Sequence, residues 1–313
     1  MVMKGMTLGE ETFSLASVRG VKEQLSVLGQ SARKGLGQHF LVDVGALSRM
    51  VDAAEIDSED LVIEVGPGLG VLTRLLAKRA GKVVAVELDA ELAQYLRDQL
   101  RGVPNIDVLE GDILDVDLVG LVNQRVRQGE GFRHYKVVAA LPYFIAAPVL
   151  RRFLEASLKP QLIVVTVQRE MAEIIVAKPG DMSLLSVAVQ LYGEPTVIDY
   201  LSPSSFYPRP KVESAILRID VYSEPAVSVI NPILFFKVVK AGFSGRRKQL
   251  HNALAHGLGE HPSKCALWLR SGGIDPSRRA QTLTLEEWSR LHVIMAESLQ
   301  LSQTAHVDLP SAR

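Results

Sequence analysis

The stretch LVIEVGPGLG, residues 61–70, is an apolar run that ends in three closely spaced glycines. Val71–Arg79 follows with helical spacing, Leu72, Leu75 and Leu76 falling on one side. An apolar strand, a glycine turn and an amphipathic helix make one βα unit, and the unit recurs downstream. Val83–Val86 is a second β-branched run ending at Glu87, and Ala90–Leu100 is again helical, with Leu92, Tyr95, Leu96 and Gln99 three and four apart. Ile106–Leu109 leads into Gly111-Asp112, and Val137–Leu141 and Leu162–Val167 are further apolar runs. Continuous apolar strands alternating with helices predict an α/β, Rossmann-like fold whose mainly parallel sheet is covered on both faces. Right-handed crossovers then gather the carboxyl ends of the strands on one edge, where ligands bind. Val187–Leu191 and Ala215–Ile219 read as later strands that finish the sheet as an antiparallel hairpin.

Three features fall on successive strand ends along that edge. Gly66, Gly68 and Gly70 allow a sharp turn and close approach of a ligand to free helix-terminal N–H groups. The dinucleotide pattern GxGxxG would need glycine at position 71, which is Val71; the spacing here is GxGxG, preceded by Glu64. That combination fits S-adenosylmethionine (SAM) better than NAD. Glu87, about 20 residues beyond the turn, stands where a carboxylate accepts both ribose hydroxyls. Asp112 stands where a carboxylate meets an adenine amino group. Together these predict a class I SAM-dependent methyltransferase fold.

Composition is consistent with a folded domain and a smaller companion. The chain has 313 residues, 47% hydrophobic and 22% charged. No run approaches the roughly 20 apolar residues of a membrane-spanning helix. Glu10 and Glu11 occupy the place of a signal peptide's apolar core, so a cytoplasmic location is expected. The single cysteine, Cys265, reads as a core thiol, and the scattered histidines lack metal-ligand spacing, so no metal is expected. The net charge of zero is a cancellation: residues 32–222 carry 21 Lys+Arg against 25 Asp+Glu, and residues 223–313 carry 11 against 7. A basic C-terminal part suits a polyanion, although ordinary scatter gives such a count as readily. YSEPAVSVINP, residues 222–232, reads as the boundary between a domain over 31–222 and a helical one over 223–300, with a polar tail over 301–313. In the helical part, Ile233–Leu258 and Glu286–Leu299 read as helices. Residues 1–30 show no strong period and read as an extension with partial disorder.

KVVAALPYFIAAP, residues 136–148, is a strand running into a sharp turn at Leu141-Pro142-Tyr143. Such a turn presents backbone carbonyls and a flat ring at the sheet's carboxyl edge.

The ordered segments KGLGQHFLVD, VIEVGPGLGVLTRLL, VVAVELD, EGDIL, LPYFIAAPVL, VQREMAEIIVAKPG, LLSVAVQ, SSFYPRPKVESAILRI, AGFSGRRKQLHNAL and GIDPSRRAQTLTLEEW cover the chain from about Lys34 to about Leu291. In them the chain resembles the KsgA-type small-subunit rRNA adenine N6,N6-dimethyltransferases. The related Erm-type enzymes share the earlier segments, whereas PRPKVES and the long C-terminal segment look more like the KsgA branch. The resemblance implies that Gln38, His39 and Leu41 close over SAM, that Gly66 and Gly68 pass under its methionine end, and that Glu87 and Asp112 hold ribose and adenine. It implies two adjacent adenosines near the 3′ end of small-subunit rRNA, within the pre-30S particle, as targets. Tyr143 would stack on the extruded base and Phe206 would be the opposing wall. No obligate protein partner is implied, and a monomer is expected.

The family pattern places two acceptors for the amino hydrogens at this turn: an Asn side chain at the head of N-L-P-Y, and the backbone carbonyl two positions before the Tyr. This sequence has Ala140 at the Asn position and Phe144 at another position commonly Asn. Leu141 still offers its carbonyl, and Pro142 keeps the turn. Losing one oriented acceptor is worth roughly 10²–10³ in rate by analogy with oxyanion-hole deletions. Two outcomes follow: another acceptor or a water substitutes, or the chain binds SAM and pre-ribosomal RNA but methylates poorly. For RNA contact the sequence offers Arg246, Arg247 and Lys248 at a helix start, Arg278 and Arg279 in the final turn region, and Arg151 and Arg152 after the LPY turn.

Overall fold

The computed structural model describes residues 14–33, 35, 37–127, 132, 134–245 and 247–307. At its centre Asp60–Val65 (β2) is buried along its whole length, as its unbroken apolar run requires of a strand covered on both faces. On one side it pairs in parallel with Lys82–Glu87 (β3), which pairs with Ile106–Glu110 (β4). On the other it pairs in parallel with His134–Ala139 (β5), which pairs with Leu162–Gln168 (β6). Ser214–Val221 (β9) runs antiparallel to β6, and Gly193–Leu201 (β7) completes the order β4-β3-β2-β5-β6-β9-β7. The chain direction of the order reverses between β2 and β5, which is where an open α/β sheet leaves a crevice at its carboxyl edge.

The helices that follow the strands are Val71–Ala77 (α3), Ala90–Gln99 (α4), Leu118–Arg127 (α5), Ala146–Leu154 (α6) and Arg169–Ile175 (α7). Before β2 come Val18–Val27 (α1), the short strand Phe40–Leu41 (β1) and Val44–Ala53 (α2). Helix α1 corrects the expectation of disorder over residues 1–30 where that span is described. It starts on Ser17, whose hydroxyl accepts from the Gly20 amide, and it buries Val21 and Leu25. Residues 1–13 lie outside the described residues. Phe206–Tyr207 (β8) pairs antiparallel with β1, Phe40 opposite Tyr207 and Leu41 opposite Phe206.

The chain divides into two compact units, one with the residues up to Ala172 plus Glu194–Ser223, the other with Glu173–Gly193 and the chain from Glu224 on. Residues 173–193, expected within the first domain, therefore belong with the second unit. In that unit Leu184–Gln190 (α8) replaces the strand expected at Val187–Leu191. Ser183 and Ser186 form a reciprocal capping box there, and a short β-branched run does not distinguish strand from buried helix by period alone. The expected single helix over Ile233–Leu258 is two, Pro232–Gly242 (α9) and Leu250–Leu258 (α10), broken across the polar, glycine-containing stretch between them. Pro262–Ser271 (α11) and Leu285–Val307 (α12) complete the unit. Phe235, Leu254, Leu269, Trp288 and Leu291 form its buried centre with Cys265, whose thiol burial pushes up to about 11.

Candidate active site

The crevice is built from the end of β2 outward. Gly66, Gly68 and Gly70 have φ of 66°, 57° and 78°, the left-handed region. Gly68 has a second reason to lack a side chain, since a Cβ there would stand 3.0 Å from the Phe40 ring. The turn is tied to the neighbouring strand at two points: the Gly66 amide donates to Val86 O at 2.9 Å, and the Gly68 amide donates to Glu87 Oε2 at 3.0 Å. The other carboxylate oxygen of Glu87 accepts from the Asp89 amide at 3.0 Å. Burial raises the Glu87 pKa, and these amide bonds oppose the rise.

Across from the turn lies the segment Gln38–Leu41. Gln38 Oε1 accepts from the Arg33 amide at 2.8 Å, and Arg33 reaches Asp89 at 3.1 Å and Glu91 at 2.9 Å. Leu41 is fixed by the β1–β8 pairing, and Val42 N donates to Ser205 O at 2.8 Å. His39 Nδ1 lies 2.6 Å from Pro208 O, and its ring stacks on Tyr143 with centroids 5.7 Å apart and planes at 25°. The third wall is the end of β5, Ala140 and Pro142.

These walls bound a crevice that is open to solvent and lined by Gln38, His39, Leu41, Gly66, Gly68, Glu87 and Ala140 among others. Two expected cofactor residues stand outside the lining. Gly70 caps α3, where a Cβ would lie 2.5 Å from Leu96. Asp112 is turned to its own loop, Oδ1 accepting from Leu114 N at 2.9 Å, while Gly111 N joins it to Glu87 O at 2.9 Å on the same sheet edge. Sequence reading missed Phe40 and Val21 as lining residues. For Val21 a signal existed: Val21, Leu25 and Leu28 have helical spacing that places one apolar face inward.

Glu64 also lines the crevice, 1% exposed, and Oε2 has no hydrogen-bond partner. Burial pushes its pKa up to about 8, with the Glu87 charge adding to the rise and Thr73 and Arg74 opposing it. Arg74 Nη1 donates to Leu69 O at 3.0 Å and Gly70 O at 2.9 Å, bracing the turn from below. A glycine cradle, a strand-end carboxylate, an unpaired buried acid oxygen and apolar walls fit the polarity of an adenosyl cofactor such as SAM.

At the mouth, Leu141 is 3% exposed and the Tyr143 hydroxyl is 2.6 Å from Ser214 Oγ. Burial raises the Tyr143 pKa, and the bond to Ser214 opposes the rise. Phe206, expected as the opposing wall, is instead a core residue at 2% exposure whose strand positions Leu41. Its place in an apolar cluster with Leu47, Val164 and Ile216 explains the difference.

The expected RNA-contact residues divide. Arg152 donates to Ile113 O at 3.2 Å and to Val116 O, pinning the loop after β4. Arg278 donates to Thr282 Oγ1 at 3.1 Å and to Glu287 Oε2 at 3.0 Å, a clamp on the start of α12. Both guanidinium groups are tied to partners within the chain. Arg151 is exposed and paired with Glu155 at 2.8 Å. Arg247, Lys248 and Arg279 are exposed, the first two on the loop before α10 rather than at a helix start. Arg246 lies outside the described residues. Among the described residues no group of His, Cys, Asp and Glu is placed to hold a metal, and no helix is long and apolar enough to cross a membrane.

The family model described as ribosomal RNA adenine dimethylase matches residues 29–297. The ribosomal RNA small subunit methyltransferase A of Dehalococcoides mccartyi is 46% identical over 270 residues, 86% of this chain and 90% of the relative. The protein of the same name from Pelotomaculum thermopropionicum is 43% identical over 282 residues, 88% of this chain and 96% of the relative. Among solved structures, a dimethyladenosine transferase from Plasmodium falciparum superposes with a TM-score of 0.68 at 23% identity, covering 83% of this chain and 98% of that one. The 23S rRNA methyltransferase ErmE gives 0.62 at 28%, covering 82% and 99%. The fold is that of the class I SAM-dependent methyltransferases. The chain belongs to the ribosomal RNA adenine dimethylase family.

Proposed function

We propose that this protein uses SAM to dimethylate the amino nitrogens of two adjacent adenosines near the 3′ end of small-subunit rRNA. It acts on the pre-30S particle, as a monomer, in the cytoplasm. One observation carries the reading: the crevice formed by Gly66, Gly68, Glu87 and Gln38–Leu41 also has Ala140 and Pro142 in its wall, so the cofactor pocket opens directly at the LPY turn.

When bound, SAM supplies an electrophilic methyl group on a sulfonium. The chain's own residues hold and orient the acceptor. An adenosine must leave its stack to reach the crevice, and the Tyr143 ring, fixed by Ser214, gives the extruded base a face. Base–aromatic stacking is worth about 1–3 kcal/mol. The adenine amino lone pair is delocalised into the ring. Acceptors that hold the amino hydrogens favour the pyramidal nitrogen of the transition state over the flat ground state. The Leu141 carbonyl serves as one acceptor. Positioning supplies most of the remaining help. Arg247, Lys248 and Arg279 contribute phosphate contacts and salt-dependent affinity.

The test incubates the full chain with methyl-labelled SAM and, in separate reactions, undermethylated small subunits and large subunits. Label confined to small-subunit rRNA supports the reading. Label on large-subunit rRNA contradicts the substrate assignment, and tight subunit binding without label contradicts catalysis in favour of a binding role in assembly.

A further inference from the structure

Ala140 leaves the adenine amino group one side-chain acceptor short, and the same pocket contains a group able to replace it. His39 lines the crevice with Ala140 and Pro142. Its Nδ1 is 2.6 Å from the Pro208 carbonyl. A carbonyl oxygen only accepts, so Nδ1 carries the proton, and in the neutral ring Nε2 is left with an in-plane lone pair. Pro208 follows β8, whose pairing with β1 holds His39 in place, so the tautomer is fixed by the backbone.

The stacking geometry says where that lone pair is useful. The imidazole stacks on Tyr143 with planes 25° apart and centroids 5.7 Å apart, so the ring that would carry the base and the imidazole are immediate neighbours. A base that shares the Tyr143 ring beside the imidazole would meet it edge to edge. Edge-to-edge is the arrangement in which an adenine N–H donates to an in-plane nitrogen.

We propose that His39 Nε2 accepts a hydrogen bond from the amino group of the target adenine, replacing the side-chain acceptor that Ala140 lacks. The inference rests on the methyltransferase reading above. It makes His39 a residue that touches substrate as well as a wall of the cofactor crevice, and it leaves the two amino hydrogens shared between Leu141 O and His39 Nε2.

The test compares His39→Phe, which keeps a ring against Tyr143 but has no acceptor, with His39→Gln, which keeps an acceptor, each with and without Ala140→Asn. The first readout is binding. With the full chain saturated in S-adenosylhomocysteine, adenosine is titrated against purine riboside, which lacks the amino group. The unmodified protein is expected to prefer adenosine about 20- to 100-fold, the scale of two hydrogen bonds to buried acceptors. His39→Phe should reduce that preference about 5- to 10-fold, to that of the Leu141 bond alone, and His39→Gln and the His39→Phe/Ala140→Asn double variant should restore at least half of the loss. The second readout is turnover on undermethylated small subunits. Ala140→Asn should raise kcat at least about 3-fold more in His39→Phe than in the unmodified protein, with KM for the subunit unchanged. S-Adenosylhomocysteine affinity, measured by calorimetry, checks the crevice; if His39→Phe fails to hold it, His39→Ala takes its place.

An unchanged adenosine preference in His39→Phe would overturn the proposal, as would equal gains from Ala140→Asn in both backgrounds. A protein that labels no rRNA at all would bring down the methyltransferase reading together with this one. Labelling that is indifferent to His39 would bring down this one alone.

Discussion

Glu87 Oε2 and the Gly68 amide are joined by a hydrogen bond of 3.0 Å that ties the end of β3 to the glycine turn after β2. One carboxylate thus orders the turn and still presents lone pairs to the crevice. Replacing it by Gln removes the charge and one of two acceptors. Glu87→Gln is expected to weaken S-adenosylhomocysteine binding by about 10- to 100-fold, the range of one charge-assisted hydrogen bond. Calorimetry on the full chain reads this directly, and a change under about 2-fold would refute the role.

Glu64 makes stability depend on pH in an unusual direction. Its folded pKa is raised to about 8, above the value of a free carboxyl. A group of this kind contributes stability that is fully present below the unfolded pKa and is lost as pH rises through the folded one. Glu64→Gln removes that loss. The variant is expected to melt above the unmodified protein at pH 8.5 and to converge with it towards pH 4.5. A constant gap across this window would show that Glu64 does not titrate there.

Much of the first unit was legible because its strands are buried on both faces. Leu61–Val65 and Leu162–Val167 carry no polar residue that breaks the run except Glu64 and Thr166, so they declare themselves as parallel strands. Gly193–Leu201 was missed because its polar and apolar residues do not alternate cleanly: the exposed face carries Glu194 and Thr196 but also Ile198 and Tyr200, while Asp199 lies on the other face. Val187–Leu191 was misread because its helix is set by the Ser183–Ser186 box and not by its apolar residues. The site shows the same division. Gly66, Gly68 and Glu87 follow from strand-end chemistry. The places of Phe206, Arg152 and Arg278 depend on partners remote in sequence, such as Leu41, Val116 and Glu287. No local pattern contains that information.

At the other end of β2 and β5, Lys136 and Asp60 form an ion pair of 2.8 Å at 8% and 6% side-chain exposure. Lys136 Nζ also donates to Glu55 O at 2.6 Å, and Asp60 Oδ2 accepts from Asp57 N at 2.9 Å. Asp60→Ala leaves a buried ammonium without its counter-charge and is expected to cost about 3–5 kcal/mol. Urea unfolding measures it. A loss below about 1 kcal/mol would mean that water reaches Lys136.

Arg247 and Lys248 are exposed on the loop before α10, whereas Arg278 is bonded to Glu287. Arg247→Ala/Lys248→Ala is expected to reduce the salt slope of small-subunit binding by about 2, with cofactor affinity unchanged. Arg278→Ala is expected to lower the melting temperature without a comparable change in slope. Filter binding across a salt series separates the two, and a slope that responds only to Arg278 would reverse the assignment.

The central claim is that the crevice opening at the LPY turn methylates adenosine in small-subunit rRNA. The most direct measurement digests rRNA from undermethylated small subunits to nucleosides, after incubation with SAM and the full chain, and identifies the product by mass spectrometry. The expected product is N6,N6-dimethyladenosine, two per subunit at adjacent positions, absent when Glu87→Gln replaces the unmodified protein at limiting SAM. Unmethylated adenosine throughout, with the cofactor and the subunit both bound, would contradict the account.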